Sequence, residues 1–171
     1  DKSQPGYSTS FRNIIMAYIH YRDNGEIVPI RIDRVGVGEY DANQGRIQAE
    51  NYFKSCNAEK REKPWKGFEM RLKQGALLLY PKISNIPNNA VISFRIACVK
   101  DNIDLEIREA APDGKLLSTC RLGPDMKPDS YRTISTQINT TGCQKDLYFI
   151  LKGKGDGELA RLDWFLISHS D

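Results

Sequence analysis

Along most of this chain apolar side chains recur at every second position in short runs, and no helical stripe runs through them. In LEIREA (105–110), Leu105 and Ile107 alternate with Glu106 and Arg108, the pattern of a strand with one face in the core and one in water. β-rich runs are expected at 46–53, 67–72, 76–81, 90–98, 103–109, 115–121, 131–138, 146–152 and 159–168. Between them lies turn chemistry: SNIPNNA, APDGK, GPDMKPDS, NTTG and KGKGDGE, rich in the Gly, Pro, Asn and Asp that reverse a chain. The pattern predicts an all-β protein, and its strand spacing predicts a two-sheet jelly-roll β-sandwich.

The first part of the chain follows a different plan. FRNIIMAYIHYRDNGEIVPIRIDR (11–34) has two runs rich in Ile, Val and Tyr around RDNGE. Asn24-Gly25 is the dipeptide that favours a type I′ turn, so a β-hairpin is predicted. Such a ribbon is marginal alone and needs a surface to pack on. VGVGEYDANQG follows as a glycine-rich connector. The expected division is an appendage over residues 1–40 and a sandwich over 41–171.

Composition narrows the class. The 171 residues are 40% hydrophobic and 27% charged, ordinary for a folded domain. A net charge of +3 is too small to point to nucleic acid or an anionic membrane as partner. No apolar run approaches the roughly 20 residues of a membrane-spanning helix. The opening DKSQPGYSTS lacks the apolar centre of a signal peptide, so the chain is expected to begin after processing or at a boundary. Cys56, Cys98, Cys120 and Cys143 contain no C-x-x-C pair, which argues against a zinc site. Cys98, inside VISFRIACV, reads as a buried thiol.

Little here speaks for catalysis. His20 and His169 are the only histidines, and neither has metal or triad spacing. Nucleophile elbow, phosphate loop and dinucleotide motif are all missing. KGKGDGE (152–158) precedes no helix and reads as a turn, and no carboxylate pair is singled out for glycoside hydrolysis. Two segments carry more polarity than a plain surface strand requires. In RIQAENYF (46–53), Gln48 and Glu50 would share one strand face. In ARLDWFLIS (160–168), Leu162, Trp164 and Leu166 would face one way, and Arg161, Asp163 and Phe165 the other. If these strands adjoin, Gln48, Glu50 and Asp163 converge either as solvated polar groups or as an oxygen cage for calcium.

At these segments the chain resembles the family 6 carbohydrate-binding modules, which open on an (I/V)-E-A-E-x-Y-like strand and close on (N/D)-W-F. Here those positions read IQAENYF (47–53) and LDWFLIS (162–168), and LKQGALLLYP (72–81) is similar to the family's ID-x-G-D-W-L-x-Y. The resemblance implies a β-sandwich with a structural calcium between its first and last strands. Gln48, Glu50 and Asp163 would be ligands, joined by backbone carbonyls near Lys66 and Gly67. The hairpin segment is similar to the last strands of the five-bladed propeller of family 43 glycoside hydrolases, which implies a catalytic propeller as partner in the same polypeptide. That enzyme would act on xylan or arabinoxylan outside the cell or in the periplasm. The propeller's catalytic acids do not occur in this sequence, so the expected role is non-catalytic.

The family holds sugar between two aromatic rings, with an Asn donating hydrogen bonds. Its Trp corresponds here to Tyr131, its second ring to Arg71 and its Asn to Arg161, while G-D-W has become Gly75-Ala76-Leu77. Trp65 in KPWKGF is a further candidate platform. The departures leave three readings open. Arg71 and Arg161 around Tyr131 would suit an acidic sugar such as glucuronic acid, since guanidinium binds carboxylate in a bidentate fork. A neutral xylan-type chain would instead lie on Tyr131 or on a second site at the concave sheet face. The third reading is a structural domain that buttresses a family 43 catalytic domain and binds no sugar.

Overall fold

A computed structural model describes residues 16–22, 24–30, 40–63, 67–100, 102–123, 130–140 and 144–170. Among them are nine strands: β1 (Ile47–Gln48), β2 (Lys54–Glu62), β3 (Phe68–Ser84), β4 (Ala90–Cys98), β5 (Ile103–Glu109), β6 (Leu116–Leu122), β7 (Tyr131–Ile138), β8 (Gln144–Lys152) and β9 (Glu158–His169). The hydrogen-bonded path runs β6-β5-β8-β3-β9-β4-β7, with β1 on β9 and β2 on β3. All strand pairs are antiparallel.

The path folds into two layers because β3 bends. Its first half pairs with β9 from Met70 to Lys73, and its second half with β8 from Leu77 to Ser84. Gly75 lies between these halves at φ +69°, a conformation that costs an L side chain about 1–2 kcal/mol. Opposite it, Asn57 of β2 also has positive φ, and its Nδ2 donates to the Gln74 carbonyl at 3.3 Å. The two ends of the path then approach one another, joined by a 2.6 Å hydrogen bond between Ser118 of β6 and Thr136 of β7. The result is the barrel-like sandwich that the strand spacing predicts.

Alternation decides which side chains fill it. Ile92, Phe94 and Ile96 of β4 and Leu105 and Ile107 of β5 are fully buried. Tyr80, Phe94, Phe149 and Phe165 meet at the centre, with centroids 4.7–5.1 Å apart for Tyr80–Phe165, Phe149–Phe165 and Phe94–Phe149. The rings meet edge to face, the arrangement their quadrupoles prefer.

Several local expectations change. Only Ile47–Gln48 of the 46–53 segment is strand, and Ala49–Asn51 turns as a 3-10 helix. Residues 67–72 and 76–81 are one continuous strand, while β2 lies where no strand is expected. In the hairpin, Tyr21 bridges Ile27 and the Gly25 N–H donates to the Arg22 carbonyl at 2.9 Å. Gly25 takes positive φ and Asn24 does not, so this is not the type I′ turn, which needs φ > 0 at both positions. Cys56 and Cys120 are free thiols, and burial pushes the Cys120 thiol up to about 11. Cys98 is buried as expected, and Cys143 lies outside the described residues.

Candidate functional site

Register brings three of the expected sugar contacts into one transverse row. Arg71 of β3 is opposite Arg161 of β9, Arg161 opposite Ala97 of β4, and Ala97 opposite Tyr131 of β7. Side chains at paired positions share a face, so Arg71, Arg161 and Tyr131 stand in line, with the small Ala97 between the last two. The row is not an open pair of guanidiniums. The Glu158 carboxylate accepts a hydrogen bond from Arg161 Nε, and its other oxygen lies 3.0 Å from Arg71 Nε. That second contact is an ion pair off hydrogen-bond alignment. The Tyr131 hydroxyl donates to buried Glu69. Burial first, then the Glu69 carboxylate, push its pKa well above the ordinary tyrosine range. Glu158 thus contacts both guanidiniums with one negative charge against their two positive ones. Trp65 lies outside the described residues.

Gln48 and Asp163 line one cavity, whereas Glu50 lines a different one, with Tyr40, Tyr52 and Lys60. Asp163 is already held by cations. Lys63 Nζ donates to Oδ1, and Arg95 Nε is 3.5 Å from Oδ2. A metal ion at Asp163 would have to displace the Lys63 ammonium from its carboxylate.

A β-bulge explains the position of Asp163. Arg95 is opposite Trp164 but Ile96 is opposite Leu162, so Asp163 is the extra residue of β9. The simple alternation expected for β9 therefore breaks. Leu162 and Phe165 both enter the core, and Trp164 turns outward beneath Arg46, whose Cζ is 4.3 Å from the ring centroid. The cavity beside it measures about 670 Å³ and is lined by Arg46, Gln48, Lys63, Arg95, Asp163 and Trp164, among others. No sequence pattern announces this cavity, because its lining comes from β1, β4, β9 and the β2–β3 connection.

The hairpin docks on the segment around Tyr52, Phe53 and Lys60. His20 Nε2 lies 3.0 Å from the Phe53 carbonyl and its ring stacks 4.3 Å from Tyr52. Lys60 Nζ donates to the Pro29 carbonyl. Burial, with Lys60 nearby, lowers the His20 pKa. Met16, Ile19 and Ile27 are exposed, while Tyr21 and Ile30, also exposed, line the clefts beside the sandwich.

Comparison with known proteins places this geometry in context. The family model described as "Carbohydrate binding module (family 6)" matches residues 48–169. No curated protein matches the chain. Among solved structures, the module CsCBM6-3 from Clostridium stercorarium, in complex with cellobiose, is 27% identical with a TM-score of 0.67, covering 78% of this chain and 98% of that one. A family 6 module from Clostridium cellulolyticum, in complex with xylose, is 22% identical with a TM-score of 0.65 and coverages of 72% and 96%. A family 43 arabinoxylan arabinofuranohydrolase from Bacillus subtilis, in complex with cellotetraose, has a TM-score of 0.68 at 16% identity. The match covers 90% of this chain and 33% of that enzyme.

Proposed function

The chain belongs to the family 6 carbohydrate-binding modules, and from that premise we propose that it holds a plant cell-wall polysaccharide of the xylan or arabinoxylan class for an attached glycoside hydrolase. The observation that carries the reading is the Arg71–Arg161–Tyr131 row, which places a half-buried ring beside guanidinium donors on one face. A sugar ring stacks its C–H face on such a ring while its hydroxyls take polar partners. Support comes from the cellobiose and xylose complexes of the similar modules. The role is non-catalytic and belongs outside the cell or in the periplasm, where such polymers are met.

Titration calorimetry with xylotetraose, cellotetraose and arabinoxylan oligosaccharides tests this. Tyr131→Ala is expected to weaken the best ligand at least tenfold, with a melting curve confirming that the variant folds. Unchanged affinity would remove the row from the account.

A second reading is favoured by a specific observation, the exposed apolar face of the hairpin. In it the module buttresses a family 43 catalytic propeller through that face. The length of the arabinofuranohydrolase match, longer than those of the isolated modules, supports such a partner. Failure to bind any of these glycans, with the fold intact, leaves this reading standing alone.

A further inference from the structure

Glu158 reaches the Arg71–Arg161–Tyr131 row because β9 carries a second irregularity. Leu72 is opposite Ala160 but Lys73 is opposite Glu158, so Leu159 is the extra residue of a β-bulge. Leu159 and Ala160 are consecutive and both fully buried, which strict alternation does not allow. The Leu159 carbonyl accepts from the Val99 and Lys100 N–H groups at 2.9 and 3.3 Å, and these bonds pin the bulge. Without the extra residue Glu158 would share the core face with Ala160. With it, Glu158 joins Arg71 and Arg161 on the outer face.

The carboxylate is then held from two sides. One oxygen accepts from Arg161 Nε and the other lies 3.0 Å from Arg71 Nε. The Glu158 side chain is 17% exposed and those of Arg71 and Arg161 are 29% and 23% exposed, so water screens these three charges only in part. Arg95, whose Cζ is 5.4 Å from the Tyr131 ring centroid, lies beside Asp163, which Lys63 also holds. Lys73 is exposed to solvent. The row ends on a further carboxylate, buried Glu69, which accepts from the Tyr131 hydroxyl. Two carboxylates thus share the row with two guanidiniums, and their formal charges balance.

A sugar carboxylate brought to this row would be a third negative charge beside Glu158 and Glu69, with Glu158 already against both guanidiniums. Like charges set together at an interface cost affinity, whereas sugar hydroxyls carry no such penalty. We propose that Glu158 is the specificity-determining residue of the row: a built-in counter-anion in the place of a uronic acid carboxylate, so that the row takes neutral saccharides and rejects acidic ones. The inference rests on the reading that the Tyr131 row is the saccharide site.

The test is calorimetry on the whole chain with xylotetraose and with the same backbone carrying one glucuronic acid substituent. The native chain is expected to bind the neutral probe about tenfold more tightly or better, and added salt should strengthen the acidic probe, because screening relieves repulsion. Glu158→Gln keeps the side-chain length and an acceptor for Arg161 while removing the charge. It is expected to shift the affinity ratio about tenfold toward the acidic probe and to reverse the salt dependence, so that salt now weakens that probe. A merely structural role would lower both affinities together and leave the ratio alone. An unchanged ratio in Glu158→Gln therefore overturns the inference. So does a native chain that binds the acidic probe as tightly as the neutral one, or loses it as salt rises, and the carbohydrate reading then stands. The native salt series decides even where a melting curve shows that Glu158→Gln does not fold. Neutral binding that survives Tyr131→Ala, or no binding of either probe, overturns the row as the saccharide site and the inference with it.

Discussion

Asp163 lies where β4 and β9 fall out of step, and its partners follow from that bulge. Lys63 and Arg95 hold its two oxygens, doing from within the chain what an added cation would do. The native protein is therefore expected to melt at the same temperature with and without a chelator. Lys63→Met leaves only Arg95 beside a largely buried carboxylate, with an expected loss of about 2 kcal/mol. Millimolar calcium should recover part of that loss by mass action. Differential scanning calorimetry decides: a chelator-induced drop of several degrees in the native chain means that calcium displaces Lys63. That RIQAENYF and ARLDWFLIS would adjoin was raised by the sequence, and β1 does pair with β9. The bulge was not, since one extra residue in a ladder leaves no mark on the letters, and it is the bulge that carries Leu162 into the core beside Phe165. The row of Arg71, Arg161 and Tyr131 was legible only through family likeness, and the Glu158 that contacts both arginines was not singled out.

Most strand positions follow directly from alternation, and β4, β5 and β7 coincide with the runs expected for them. β2 escapes the same reasoning for a physical reason. KSCNAEKRE pairs along β3 but buries little, so no apolar face separates from a polar one. The bend of β3 is similarly hidden, because LKQGALLLY reads as a turn between two strands when Gly75 is taken as a stop. Gly75 instead lets one strand serve two sheets. Its substitution makes a clean test, since a Cβ there would meet only Asn57 Nδ2 at 3.6 Å. Crowding is absent and only backbone strain remains. Gly75→Ala is expected to cost about 1–2 kcal/mol, read as a lower denaturant midpoint at unchanged slope. A neutral effect would mean that the β3 corner relaxes out of positive φ.

At the scale of the whole molecule, the chain joins a closed sandwich to a hairpin whose two faces have opposite company. The inner face contributes Tyr18, His20, Val28 and Ile30 toward Tyr52, Phe53 and Lys60, while Met16, Ile19 and Ile27 are exposed. A lone ribbon does not hold its shape in water, so docking depends on the few contacts around His20. Burial and Lys60 keep that imidazole neutral in the docked state, with its pKa below the ordinary 6.5. The undocked hairpin binds a proton more readily than the docked one. Docking is therefore undiminished above pH 6.5 and weakens as pH falls through 6.5 toward the lowered value. Limited proteolysis of the hairpin should run faster at about pH 5.5 than at about pH 7.5, relative to an unstructured control peptide that corrects for the protease's own pH profile. His20→Gln keeps a donor for the Phe53 carbonyl but cannot titrate, so it should remove the pH dependence while leaving the hairpin protected at both values. A variant that stays pH-sensitive would assign the effect to other groups at that contact, and the hairpin's attachment would then rest on Lys60 and the Tyr18–Phe53 edge contact alone.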